Sequence, residues 1–292
     1  MLKSKPLLSA LAVVFTLAAT SACDRKDGFT PIDENQEAPQ IVGGRPVVQG
    51  SKLSKQIAFV KAIVGPAKAN SPRAFGLCTA TFIAPNVVLT AAHCVERGPY
   101  SRIEIGFGAN ASEPTFLTTA VRYVVSAQYK ALGDLYSRAD FALILTKEAA
   151  PAGFQMTKLA TRVPLDGVTL GAAGYGLTNY PIVRGPLDRP RSGLLRMTTL
   201  KMDSKLKDSI FTYRIPISET NGVSSGDSGG PLLTFENGEL KQMGVTSCIS
   251  GDDDGYPYKT YKTGNVTYGS TIANAGWIQR TAAALLKTQI KN

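Results

Sequence analysis

Gly226-Asp227-Ser228-Gly229-Gly230-Pro231 is the stretch on which the reading of this sequence turns. A serine that attacks a carbonyl needs close backbone approach and two convergent N–H groups for the oxyanion that forms. Glycine on both sides permits the tight turn this demands. The alternative for the stretch taken alone, a glycine-rich surface turn around an ordinary serine, is the weaker reading. An attacking hydroxyl also needs a nearby base with a pKa near neutrality. The chain holds one histidine, His93, in Thr90-Ala91-Ala92-His93-Cys94. It follows an apolar run and stands beside a cysteine that can lock its turn. Asp140 leads directly into the apolar run Phe141-Ala142-Leu143-Ile144-Leu145. A buried carboxylate there is costly unless partnered, while a surface strand cap is the plainer reading of Asp140 by itself. Asp134 is its rival, with no strand directly after it.

Outward from these motifs the texture is that of a β protein. Short apolar or alternating runs recur at Ile57–Val60, Ala80–Ile83, Asn86–Thr90, Ile103–Phe107, Ala120–Ser126 and Phe141–Leu145, with Gly, Pro, Asn and Asp between them. Thr146–Pro164 reads as a crossing linker. A second set follows at Val168–Ala173, Leu194–Lys201, Ile210–Ile215, Pro231–Phe235, Gln242–Ser247 and Val266–Gly269. That spacing points to an all-β barrel or sandwich. Asn274–Ile290 departs from it, placing Trp277, Ile278, Ala282, Leu285 and Leu286 near one face of an amphipathic C-terminal helix.

The first 22 residues read as an address. Lys3 and Lys5 precede an apolar stretch, Leu7–Ala19, too short to span a bilayer comfortably, and small residues end at Cys23. The junction resembles a bacterial lipobox in which Cys23 is lipidated, although Thr20 stands where a large aliphatic residue is usual. The expected destinations are a bacterial cell envelope, by lipid anchor, or secretion. Residues 23–40 are polar and proline-bearing, the composition of a linker or pro-segment. An exported chain can keep a disulfide, and Cys78 and Cys94 are expected to pair, leaving Cys248 odd. The net charge of +10 is scattered rather than run together, so it reads as a solvated basic surface. No nucleic-acid motif accompanies it, and no cofactor or metal is expected.

Together, Ile41-Val42-Gly43-Gly44, the block ending in His93, the strand led by Asp140 and the glycine-rich serine turn resemble the chymotrypsin/trypsin family of serine endopeptidases. Gly174-Tyr175-Gly176, the Gly244–Ser247 strand, Tyr268 and Trp277 add to the likeness, which runs from Ile41 to the C-terminus. The resemblance implies an all-β fold of two antiparallel six-stranded barrels with a C-terminal α-helix. The first barrel would span 41–155, the second 156–273 and the helix 274–290 of a protease domain at 41–292. It also implies a catalytic triad of His93, Asp140 and Ser228, and an oxyanion hole from the N–H groups of Gly226 and Ser228. It implies a zymogen cleaved after Gln40 by an activating protease, so that the new Ile41 ammonium pairs with Asp227. Partners would be protein or peptide substrates. A silent protease-like binding protein and an esterase are the rival classes.

Departures from the pattern carry expectations of their own. Ser224 stands where the family usually has a cysteine, and Cys248 where it usually has a tryptophan. Aligning the S1 pocket puts Gly222 at its base, Val223 on its wall, and Ile249 and Val266 at positions where glycines usually leave it open. Branched residues there imply cleavage after small aliphatic residues. Asp252, Asp253 and Asp254 are the competing feature, able to recruit basic substrates from the rim.

Overall fold

The computed structural model describes residues 44–64, 75–96, 98, 100–129, 139–176, 193–203, 212–217, 222–253 and 261–289. The leader, the pro-segment, Cys23, Ile41, Asp134 and Asp254 lie outside the described residues. In chain order the first elements are β1 (Arg45–Pro46), β2 (Ile57–Val64), β3 (Phe75–Ala84), β4 (Val87–Thr90), α1 (His93–Glu96), β5 (Tyr100–Phe107), β6 (Phe116–Val125) and β7 (Ala142–Thr146). There follow β8 (Lys158–Leu159), β9 (Thr169–Gly174), β10 (Arg196–Lys201), β11 (Thr212–Ile217), β12 (Pro231–Glu236), β13 (Glu239–Asp253), β14 (Tyr261–Ser270) and α2 (Ala275–Gln289).

Strands β2-β3-β4-β7-β6-β5 close into an antiparallel barrel. In β4 and β7, residues pointing to both faces are buried. The cause is α2, which returns from the end of the chain and lays Ile278, Leu285 and Trp277 against this barrel's core. The rings of Phe141 and Trp277 meet at a tilt of 51° with a centroid distance of 6.5 Å. Strands covered on both faces read as continuous apolar runs rather than alternating ones, as Phe141–Leu145 does.

The second unit differs from expectation. Its strands run β1-β10-β9-β12-β13-β14-β11, with β8 parallel to β13, and among the described residues they do not close into a six-stranded barrel. β1 pairs with the first two residues of β10, Arg45 opposite Met197 and Pro46 opposite Arg196, while β10 and β11 approach one another without forming a ladder. At the other end, Pro216 leaves β11 without an N–H at that position to offer a further strand. The linker expected at 146–164 contributes β8 to this sheet.

A shared core joins the two units. Ile57 and Phe59 of the barrel pack with Ala173, Tyr175 and Leu195 of the sheet. Tyr175 meets Phe59 edge-on at 5.5 Å and donates its hydroxyl to Gly108 O at 2.9 Å. Thr81 donates to the buried Gln242 side chain at 2.7 Å, and Gln242 donates in turn to Gly244 O at 3.0 Å. Buried polar groups are tolerable when satisfied in this way, and these fix how the units meet.

Candidate active site

His93 opens α1 where β4 ends, and its turn is tied down by the disulfide from Cys94 to Cys78 on β3, with a Cα–Cα distance of 6.1 Å. The imidazole is buried, and its Nδ1 lies 2.7 Å from Asp140 Oδ2. The backbone N–H of His93 donates to the other oxygen, Oδ1, at 3.0 Å. Ser247, on β13 of the second unit, donates its hydroxyl to Oδ2 at 2.6 Å. Asp140 is 1% exposed, and this set of donors meets the demand of a carboxylate withdrawn from water. A carboxylate on Nδ1 holds the imidazole with that nitrogen protonated, which turns the basic nitrogen, Nε2, outward.

Ser228 sits on a turn that only glycine could build. Gly226 and Gly229 have φ of +101° and +81°, the left-handed region that side chains disfavour. A methyl group on Gly229 would overlap Thr90 and the backbone of Thr79, and one on Gly226 would meet Gly176 Cα at 2.9 Å. The turn is held from within by Asp227 N to Ser224 O at 3.0 Å and Gly230 N to Asp227 O at 2.9 Å. Gly229 N donates to Thr246 O at 2.8 Å, beside the Ser247 that holds Asp140. From the first barrel, Thr79 N donates to Ser228 O at 2.8 Å, and Cys94 Sγ lies 3.7 Å from the same oxygen. The serine turn is thus anchored against the residue next to His93.

Asp227 points inward. Gly176 N donates to its Oδ1 and Ser224 N to its Oδ2, each at 2.8 Å. Burial pushes its carboxyl up to about 7, against the lowering effect of those two N–H groups. Gly174 and Gly176 leave the room it fills, since a methyl on either would overlap its oxygens. The expected partner, Ile41, lies outside the described residues.

Of the expected pocket residues, Val223, Ile249 and Val266 join one apolar cluster with Tyr213, Ile215 and Tyr268. Ile249 on β13 stands directly opposite Val266 on β14, and Val266 is fully buried. Gly222, adjoining Val223, is buried as well. Asp252 and Asp253 end β13. Cys248 is free and half-buried, and burial pushes its thiol up, with the charge of Asp140 adding to the effect and a hydrogen bond with Thr267 opposing it. Cys78, His93 and Cys94 stand close enough together to hold a cation, but their sulfurs are bonded to each other, so neither offers a thiolate.

Two contributors were not singled out from sequence, Ser247 and Thr79. Each is an ordinary β-strand residue in its local context. Only their positions, one at the end of the Gly244–Ser247 strand and one next to Cys78, could have drawn notice.

Comparison with known proteins shows the family. A sequence model of the trypsin family matches residues 41–267. The chain is 24% identical over 266 residues to spermosin of Halocynthia roretzi, covering 85% of this chain and 66% of that protein. It is 28% identical over 186 residues to chymotrypsin-like elastase family member 1 of Canis lupus familiaris, covering 59% and 70%. It is 26% identical over 177 residues to hypodermin-B of Hypoderma lineatum, covering 56% and 65%. The chain thus spans about two thirds of the length of these relatives. Among solved structures, neuropsin, a serine protease expressed in the limbic system of mouse brain, superposes with a TM-score of 0.59 at 19% identity. That match covers 82% of this chain and 98% of neuropsin. The matched span, the ordered motifs and the superposed fold agree: the chain belongs to the trypsin family of chymotrypsin-like serine endopeptidases.

Proposed function

We propose that the protein hydrolyses peptide bonds in protein or peptide substrates through an acyl-enzyme, with Ser228 as nucleophile, His93 as base and Asp140 as the group that orients it. The observation that carries this reading is the buried His93–Asp140 pair at 2.7 Å, held against a glycine-built serine turn. In the scheme established for this family, His93 Nε2 takes the hydroxyl proton as Ser228 Oγ bonds to the scissile carbonyl carbon. The N–H groups of Gly226 and Ser228 bind the oxyanion. His93 passes its proton to the leaving amine and the C–N bond breaks. A water molecule, deprotonated by His93, then attacks the ester, releases the acid and restores Ser228. A fluorophosphonate probe should label Ser228, and Ser228→Ala should abolish both labelling and hydrolysis while leaving the melting temperature unchanged. A label elsewhere, or hydrolysis by the variant, would overturn the assignment; a silent binding protein would take no label.

Three finer readings accompany it. The chain is made as a zymogen, and cleavage after Gln40 delivers the Ile41 ammonium to Asp227. What supports this is a buried carboxyl pushed up to about 7, a group that a cation would restore to its charged form. Small aliphatic residues are preferred before the cleaved bond. What supports this is Ile249 opposite Val266 across β13 and β14, together with a relative named as an elastase. The protein is exported, which the Cys78–Cys94 disulfide favours, since such bonds persist in oxidising compartments. Lipidation at Cys23 rests on the leader sequence alone.

A further inference from the structure

Thr79 spends its hydroxyl and its N–H on the serine turn from the opposite unit. Its N–H donates to Ser228 O at 2.8 Å. Its hydroxyl donates to Gly226 O at 2.9 Å and accepts the N–H of Tyr175 at 3.0 Å. Its own carbonyl is fixed by the hydroxyl of Thr90 at 2.8 Å. The side chain is fully buried, and the two hydroxyl bonds leave it no rotational freedom. Gly226 and Ser228 are the residues whose N–H groups bind the oxyanion in the reading above, on which this inference rests.

We propose that Thr79 is a positioning residue for the oxyanion hole. Gly226 has no side chain and sits at positive φ, so nothing of its own resists rotation of its flanking peptides. The peptide between Gly226 and Asp227 is held at both ends. Asp227 N is bonded to Ser224 O at 3.0 Å, and Gly226 O is bonded to the Thr79 hydroxyl. Holding that peptide fixes the Cα of Gly226 in space, the point from which the Ser225–Gly226 peptide projects with the N–H that must meet the oxyanion. The Ser224 bond comes from within the turn and would travel with it. The Thr79 bond comes from the other unit and ties the turn to the barrel that carries His93. Electrostatic stabilisation of a transition state depends on donors already aimed before the charge develops. Thr79 supplies that aim without touching the substrate.

The test compares Thr79→Val, which keeps the shape and loses the hydroxyl, with Thr79→Ser, which keeps the hydroxyl. Thr81→Val serves as control, because it removes another buried hydroxyl bond across the units, to Gln242, away from the serine turn. Labelling of the wild-type enzyme at Ser228 by a fluorophosphonate comes first; without it the underlying reading fails, and this inference with it. Active sites are then titrated, so that rates refer to folded, competent enzyme. Deleting one oxyanion donor costs about a hundredfold to a thousandfold in kcat, and displacing it costs less. Thr79→Val should therefore lower kcat about tenfold to a hundredfold with KM little changed. It should weaken a peptide boronate, which mimics the tetrahedral adduct, by a similar factor, while the affinity for a product peptide holds. Thr79→Ser should recover most of both losses, and Thr81→Val should lower the melting temperature with kcat intact. If Thr79→Val does not fold, Thr79→Ala carries the same comparison. Wild-type kcat per titrated site and undiminished boronate affinity in the hydroxyl-free variant would overturn the role of Thr79 while leaving Ser228 in place.

Discussion

Ser247 donates its hydroxyl to Asp140 Oδ2 at 2.6 Å, so the carboxylate that holds His93 is itself held from the other unit. The same oxygen faces His93 Nδ1. Ser247→Ala removes a hydrogen bond to a charged, buried group, which is worth about 1.5–3 kcal/mol. Stability should fall by about that amount in urea unfolding. The rate should fall too, through looser aim of His93, but by far less than the roughly ten-thousandfold expected for Asp140→Asn, which disturbs the tautomer. Unchanged stability and rate in Ser247→Ala would show the bond to be idle.

Asp227 gives the uncleaved chain a pH dependence of definite sign. Its folded carboxyl stands near 7, above the ordinary 3.8, because burial disfavours the charge. A raised folded pKa means that the native state binds more protons than the unfolded one between those two values. Its contribution is therefore fully present below about pH 4 and is lost as pH rises through about 7. That difference corresponds to about 4 kcal/mol. Urea unfolding of the uncleaved protein at stepped pH should show this decline, and Asp227→Asn should flatten it. Cleavage after Gln40 should remove this decline, because pairing with the new ammonium lowers the carboxyl, and replace it with one at higher pH, where the Ile41 ammonium, raised above its free value of about 7.7–8.0, loses its proton. A pH profile identical in the wild type and Asp227→Asn would sink the account.

The apolar pair Ile249 and Val266 makes the pocket prediction quantitative. Ile249→Gly combined with Val266→Gly should open the site to large side chains. One methylene in an apolar pocket is worth about 1–3 kcal/mol, so the ratio of kcat/KM for Phe over Ala substrates should rise at least about tenfold. Emptying the fully buried Val266 site also costs stability, about 1–3 kcal/mol, which the substrate ratio does not feel. In a panel of Ala, Val, Leu, Phe, Lys and Arg substrates, the wild type should favour Ala and Val. A preference for Lys or Arg would instead point to Asp252–Asp254.

Much of the strand framework was legible because it is local. The runs at 57–60, 103–107 and 231–235 lie within β2, β5 and β12, bounded by the turn residues that mark them. The amphipathic face of α2 likewise announced that it must pack, since Ile278 and Leu285 recur at helical spacing. Closure of the second unit was not legible in the same way. Whether β10 and β11 join in a ladder depends on how distant segments come together, and Arg45–Pro46, which pairs with the start of β10, is too short a strand to stand out from sequence.

The amino-acid sequence by itself determined the chemical inventory: one histidine, a serine between glycines, an aspartate leading an apolar strand, and two cysteines able to pair. Residue type and turn geometry are properties of a few neighbouring positions, so they can be read there. Tertiary structure alone decided what holds that inventory in place. Ser247 reaches Asp140 across 107 positions, and Thr79 reaches Gly226 across 147. No periodicity encodes such pairs. They arise because a barrel and a sheet bury Ile57, Phe59 and Tyr175 against one another, and the polar side chains left inside that interface must find partners there.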